Sequence, residues 1–144
     1  MKLSLIVPCY NEEGNVEKFF NEVNKAFDGK ISDYEFVFVN DGSKDKTYQK
    51  LKHLYSSFID KYCIQVLSFS RNFGKEAAIY AGLTKAEGDL VCLIDADLQQ
   101  RPEVVLEMLE VMESDDDIDC VTAYQENRKE NKEIKYRWTR FERR

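Results

Sequence analysis

Leu90-Val91-Cys92-Leu93-Ile94-Asp95-Ala96-Asp97-Leu98-Gln99 is an apolar run that ends in two carboxylates. The run has no polar face, which fits a strand of a parallel sheet covered on both sides. Gly88 and Asp89 punctuate its entry. Four other runs share the character: Leu3–Val7, Glu35–Val39, Cys63–Ser68 and Asp119–Ala123. Leu5-Ile6-Val7 is again apolar on both faces.

Helical patterns fill the gaps. Val16, Phe19, Phe20, Val23 and Phe27 recur at helical spacing, as do Leu51, Leu54, Tyr55 and Phe58. Ser43 or Asp45 suits the cap of the second helix. An Ala-rich stretch, 77–86, follows Gly74, and Pro102 opens a helix whose apolar face is Val105, Met108, Leu109 and Met112. The order β-α-β-α-β-α-β-α-β with right-handed crossovers predicts a doubly wound α/β sheet, mostly parallel, with helices on both faces.

The chain has 144 residues, which suits one folding unit. No apolar run reaches the roughly 20 residues that cross a bilayer. The six-residue run at the start is too short for a signal-peptide core. Net charge is −6, but residues 125–144 hold eight Lys/Arg and four Glu, a local balance of +4. The remaining body is acidic, which argues against general nucleic-acid binding. Cys9, Cys63, Cys92 and Cys120 have no zinc or redox spacing and read as packing residues in a reducing compartment. His53 reads as a surface or packing residue.

In such a sheet, ligands bind at the carboxyl ends of the strands. Four polar segments fall there: Pro8–Glu13, Asn40–Ser43, Ser70–Glu76 and Asp95–Gln99. Asp95 and Asp97, two residues apart at a strand end and beside Gln99, can share one divalent cation. Hard oxygen donors select Mg²⁺ or Mn²⁺. Asp41 can accept from a base or a ribose hydroxyl, and Tyr10 can stack on a base. Arg71 and Lys75 flank Gly74 at a helix start, a pattern that favours a diphosphate. Glu12 and Glu13 suit the positive end of the first helix. There is no G-x-G-x-x-G after the first strand, no G-x-x-x-x-G-K-[ST] and no G-x-S-x-G. A nucleotidyltransferase would want a Gly-rich, Arg-containing loop after the first strand, and Pro8–Glu13 has neither.

IVPCYNEEGNV (6–16), FVNDGSKDKT (38–47), SRNFGKEAAIYAGL (70–83) and LIDADLQQRPE (93–103) together resemble, in order and spacing, the family 2 inverting glycosyltransferases. The likeness is to the polyprenyl-phosphate sugar transferase branch, dolichol-phosphate mannosyltransferase-like and undecaprenyl-phosphate glucosyltransferase-like, and runs from about Leu3 to Arg128. It implies a Rossmann-like GT-A nucleotide-sugar-binding fold, a truncated one here, with a nucleotide-diphosphate-sugar donor, UDP-hexose favoured, and a divalent cation. It implies Pro8, Tyr10, Glu12, Val39 and Asp41 around the nucleoside, Ala96 lining the pocket, Arg128 near the diphosphate, and Asp95 and Asp97 at the metal with Gln99 nearby. Gln100-Arg101 departs from the family pattern, which usually has an acidic residue or Pro there.

The resemblance implies hexose transfer to a polyprenyl-phosphate lipid in envelope or glycan biosynthesis, at the cytoplasmic side of a membrane in the full-length protein. Family members are longer, and their second half supplies the acceptor-side acidic residue. Residues 1–125 are thus expected to be the donor-binding part, and 126–144 a basic tail. A non-catalytic nucleotide-binding or assembly module is the alternative. Ile134, Trp138 and Phe141 fall at i, i+4 and i+7 among basic residues, which predicts an amphipathic helix over 134–144. Such a helix suits an anionic membrane surface, or packing on the rest of the chain or on a second copy.

Overall fold

LSLIVPC, apolar apart from Ser4 and Cys9, forms β1 (Leu3–Cys9) at the centre of a parallel sheet. Its neighbours are β2 (Tyr34–Asn40) on one side and β4 (Leu90–Leu93) on the other, with β3 (Cys63–Ser68) beyond β2. The order is β3-β2-β1-β4, and every pairing is parallel. This is the computed structural model of the chain; it describes residues 1–124 and the backbone of 125 and 134–139.

The helices follow the periodicity. α1 (Val16–Phe27) buries Val16, Phe19, Phe20, Val23 and Phe27. Phe20 meets Phe36 of β2 at 5.0 Å between ring centroids, and Phe58 of α2 (Thr47–Phe58) at 5.1 Å. Phe19 stands edge-on to Phe38 at 6.4 Å. Burying one such side chain is worth about 1.5–3 kcal/mol, so this aromatic layer is a main source of stability. α3 (Lys75–Lys85) covers the opposite face of β1 and β2. It comes close because Gly82 lies on Ile6: a Cβ there would meet Ile6 Cγ2 at 2.5 Å. Helices on both faces are what the sequence predicts.

β4 departs from expectation. It pairs with β1 alone among the described residues, so it is an edge strand rather than a central one. Register sets Val91 beside Ser4 and Leu93 beside Ile6, on the α3 face, and both are nearly half exposed, at 45% and 46%. α3 reaches across β2 and β1, and its packing does not extend over these two side chains.

The chain forms two compact units, Met1–Gln100 and Arg101–Arg144. In the second unit α4 (Glu103–Glu113) leads to β5 (Cys120–Gln125). β5, expected as a fifth strand of the parallel sheet, is among the described residues a strand of a separate two-stranded sheet. It pairs antiparallel with β6 (Ile134–Thr139), Cys120 opposite Thr139 and Gln125 opposite Ile134. The helix predicted over 134–144 is therefore corrected for Ile134–Thr139. Ile-Lys-Tyr-Arg-Trp-Thr alternates apolar with polar, the period of a strand, and is rich in β-branched and aromatic residues. Arg140, Phe141, Arg143 and Arg144 lie outside the described residues. Among the described residues no helix is long and apolar enough to cross a membrane.

All four cysteines are free. Cys9 is buried and Cys92 partly so, as expected of packing residues, and burial pushes the Cys92 thiol up to about 12. Cys63 and Cys120 are exposed, so the packing reading is corrected for them. His53 is exposed.

Candidate functional site

The loops that follow β1 to β4 are tied into one chain of polar contacts. The first link joins the loops after β1 and β2. Asn11 N–H donates to Ser43 Oγ at 3.0 Å, and Lys44 N–H returns to Asn11 Oδ1 at 2.9 Å. Glu12 N–H donates to Thr47 Oγ1 at 2.8 Å and Glu13 N–H to Asp45 Oδ2 at 3.2 Å. Lys46 N–H donates to Glu13 Oε2 at 2.9 Å. Asn11 sits at φ 55°, a left-handed conformation that Asn tolerates better than most residues.

These contacts settle several local choices. The cap position of α2 is Lys46, which makes no side-chain cap bond, so neither Ser43 nor Asp45 is the expected cap; Asp45 accepts from Thr47 N–H at 2.9 Å. Burial alone would raise the Asp45 carboxyl, but the Thr47 hydroxyl and nearby N–H groups hold it below its ordinary value. Glu13 is committed to the approach of α2, so it does not serve the positive end of α1. Glu12 instead accepts from Asn15 Nδ2, just before α1, at 2.7 Å.

The second link is Asp41. Its Oδ1 accepts from Phe73 N–H at 2.7 Å; its Oδ2 accepts from Gly74 N–H and Asn72 Nδ2, both at 3.0 Å. The residue is 3% exposed. A carboxylate with this many donors is a brace for the loop after β3. Asp41→Asn would set an amide N–H₂ against at least one of these donors. It is expected to cost about 1–3 kcal/mol in urea unfolding, the penalty of an unsatisfied buried group. A loss under about 0.5 kcal/mol would show that the brace carries no weight.

The third link joins that loop to β4. Lys75 Nζ lies 2.7 Å from Asp95 Oδ1 and 2.8 Å from Asp95 Oδ2. Asp97 lies two residues on, past buried Ala96, and its Oδ1 accepts from Gln99 N–H at 3.0 Å. Leu98 takes a left-handed φ of 60° to close this turn. Cys9 lies beneath the site. Burial pushes its thiol well above the ordinary range, and Glu12 and Asp95 add to the shift, so it is not a nucleophile at neutral pH.

The predicted site residues therefore fall into groups. Tyr10 (42% exposed) and the half-buried Pro8 remain open at the end of β1. Arg71 is exposed, with its guanidinium over the Phe73 ring, 4.4 Å from the centroid. Lys75 and Asp95 are paired, and Asp97 follows in the same turn. Val39 is wholly buried in β2 and Ala96 almost wholly, while Glu12 and Asp41 spend their carboxylates on protein partners. Arg128 lies outside the described residues. Sequence reasoning missed Asn11, Asp45, Thr47 and Asn72 as the residues that hold the loops together. The signal was present as the density of Asn, Asp, Ser and Thr in the strand-end loops.

The donor set suits a hard cation. Among the described residues no group of three or more His, Cys, Asp or Glu is placed to hold a metal ion. Two carboxylates at an open edge fit Mg²⁺ or Mn²⁺; Mg²⁺ commonly takes one or two carboxylates and leaves positions for substrate phosphates.

Comparison with known proteins shows the family. Residues 4–144 match the family model described as "Glycosyl transferase family 2", and the chain belongs to that family. It is 44% identical over 110 residues to the bactoprenol glucosyl transferase of Shigella phage SfV, covering 76% of this chain and 35% of that protein. It is 36% identical over 124 residues to the dolichol-phosphate mannosyltransferase of Pyrococcus furiosus, covering 86% and 34%. Among solved structures it resembles the mannosyltransferase PcManGT of Pyrobaculum calidifontis in complex with GDP-Man and Mn²⁺. That match has a TM-score of 0.69 at 23% identity, over 81% of this chain and 33% of that one. The chain thus spans about a third of the length of the curated relatives it matches. The fold expected from the sequence, GT-A with a parallel sheet between helices, is the fold observed.

Proposed function

We propose that this chain is the donor-binding part of an inverting glycosyltransferase that moves a hexose from a nucleotide-diphosphate sugar to a polyprenyl phosphate. The observation that carries the reading is the convergence of four cross-linked strand-end loops on Asp95-Ala96-Asp97. The names of the bactoprenol and dolichol-phosphate relatives support the lipid acceptor. With such an acceptor, the full-length protein works at the cytoplasmic face of a membrane.

Tyr10 and Pro8 contact the nucleoside. Val39, Asp41 and Glu12 act from behind, by fixing the pocket wall. Ala96 keeps the floor small enough for the sugar-nucleotide. Asp95 and Asp97 hold the divalent cation, and the Gln99 N–H fixes the Asp97 rotamer. Bound there, the cation supplies charge compensation for the leaving diphosphate. Arg71, Lys75 and Arg128 add positive charge toward the same group. The acceptor phosphate is already anionic, so its oxygen needs little help from a base.

Calorimetric titration of UDP-glucose and of GDP-mannose, each with Mn²⁺, tests the reading. The wild-type chain is expected to bind one of them, and Asp97→Ala to weaken that binding at least about tenfold, the loss of one charged ligand. Equal binding by both proteins would overturn the metal role. The chain spans about a third of its relatives' length, which motivates a second reading, a nucleotide-binding module without turnover. Tight nucleotide binding with neither sugar transfer nor donor hydrolysis would favour it.

A further inference from the structure

Lys75 holds the carboxylate that the proposed cation needs. Its ammonium contacts both Asp95 oxygens, at 2.7 Å and 2.8 Å, so the group is centred on the carboxylate rather than touching its rim. It arrives from a rigid support. Lys75 is the first residue of α3, and the turn before it is pinned to Asp41 through Phe73 N–H and Gly74 N–H. Both side chains keep access to solvent, 58% for Lys75 and 35% for Asp95, so the pair can open without unpacking the core. The next acidic group along, Asp97, bonds to its own turn rather than to Lys75.

We propose that Lys75 is a tethered counter-ion that occupies the Asp95 carboxylate until the donor arrives, and so couples cation binding to diphosphate binding. The inference rests on the reading of Asp95 and Asp97 as cation ligands. A divalent cation entering alone must break the Lys75–Asp95 pair and leave an ammonium beside a dication. A cation entering with a nucleotide diphosphate meets no such penalty. The released ammonium turns to the diphosphate, whose oxygens also complete the cation's coordination. Each ligand therefore raises the affinity for the other, and linkage makes the two effects equal. The arrangement keeps the site from filling with free cation in the absence of donor.

The test uses the 144-residue chain and three single variants, Lys75→Gln, Lys75→Arg and Asp95→Asn, with the double variant Lys75→Gln/Asp95→Asn. Mn²⁺ binding is followed by the electron paramagnetic resonance signal of free Mn²⁺, with and without UDP or GDP, whichever binds. Lys75→Gln is expected to tighten Mn²⁺ binding in the absence of nucleotide by about three- to tenfold. It is also expected to shrink the nucleotide-induced gain in Mn²⁺ affinity by about the same factor, leaving the part that the diphosphate's own oxygens supply. Lys75→Arg, which keeps the charge, is expected to behave like wild type. With Asp95→Asn in place, adding Lys75→Gln is expected to change Mn²⁺ binding no further. If Lys75→Gln and wild type bind Mn²⁺ alone equally, and both depend on Asp95, the counter-ion role is overturned and the metal site stands. If no protein binds Mn²⁺ with or without nucleotide, both readings fall.

Discussion

Gly42→Ala is expected to destabilise the chain by about 3–5 kcal/mol, through strain and overpacking at one point. Gly42 has φ 63°, in the left-handed region that costs an L side chain about 1–2 kcal/mol. A methyl group there would also overlap the Arg71 carbonyl carbon and the Asn72 backbone nitrogen. Both are backbone atoms, so no side chain can rotate away. The neighbouring loop would have to move, and that loop is held by Asp41. Total stabilities of domains this size run to about 5–15 kcal/mol, so the loss takes a large share. In urea unfolding the midpoint is expected to fall steeply at an unchanged slope. A shift of less than about 1 kcal/mol would show that the two loops are not packed this closely. The same variant is expected to lose nucleotide binding, because the backbone contact positions the loop carrying Arg71 and Lys75.

The other large effect lies at the opposite end of the strands. Glu35 of β2 is fully buried, yet several groups reach its carboxylate. Ser4 Oγ donates at 2.5 Å, Glu87 N–H at 2.6 Å and Gln65 Nε2 at 3.4 Å. Lys2 Nζ pairs with it at 2.9 Å, and the Cys63 thiol approaches at 3.6 Å. Gly88 N–H in turn donates to Ser4 Oγ at 2.8 Å, so the cluster ties β1, β2 and β3 to the entry of β4. Burial by itself would raise the carboxyl. The hydrogen bonds from Ser4, Glu87 N–H, Lys2 and Gln65 outweigh it and bring the group from 4.5 to about 2.

A folded value below the unfolded one contributes stability above the unfolded pKa. That contribution is complete above about pH 4.5 and disappears as pH falls through about 2. It amounts to about 3 kcal/mol at neutral pH. Glu35→Gln is expected to lose about that much at pH 7, with a steeper loss for Glu35→Ala, which takes the acceptor from the Ser4 hydroxyl and the Glu87 N–H and leaves Lys2 only the Glu87 carboxylate at 3.4 Å. Between pH 4.5 and 2, wild-type stability should fall toward that of Glu35→Gln. Urea unfolding of both proteins at about pH 7, 4 and 3 measures this. Parallel profiles would show that the carboxylate charge is not what the cluster stabilises.

The elements of the parallel sheet were legible because their signals are local. Leu3–Val7 and Glu35–Val39 read as buried strands from composition, and both are, though the strands run on to Cys9 and Asn40. α1 was legible from Val16, Phe19, Phe20, Val23 and Phe27, since helical spacing puts them on one face. Val91-Cys92-Leu93-Ile94 misled in one respect. Its hydrophobicity says that both faces avoid water in some context, and it cannot say which strands flank it. Ile134–Thr139 misled because a basic, aromatic segment carries both a helical and a strand-like pattern. The backbone partner, β5, selects the period of two.

The candidate site divides the same way. The positions of Asp95, Asp97, Lys75 and Arg71 in the strand-end loops were legible. The burial of Asp41 was not, nor was the pairing of Lys75 with Asp95.

By itself, the sequence determined the order of elements from β1 to β5, the four polar segments at strand ends and the family those segments define. These follow from periodicity and from residue types, which are properties of neighbours along the chain. Only the tertiary structure decided which of these polar groups bond to one another. Asn11 meets Ser43 across 32 positions, Asp41 meets Gly74 across 33, and Lys75 meets Asp95 across 20. Such pairs exist only once parallel register has brought the strand ends to one edge, and their hydrogen bonds form between groups that no local pattern links.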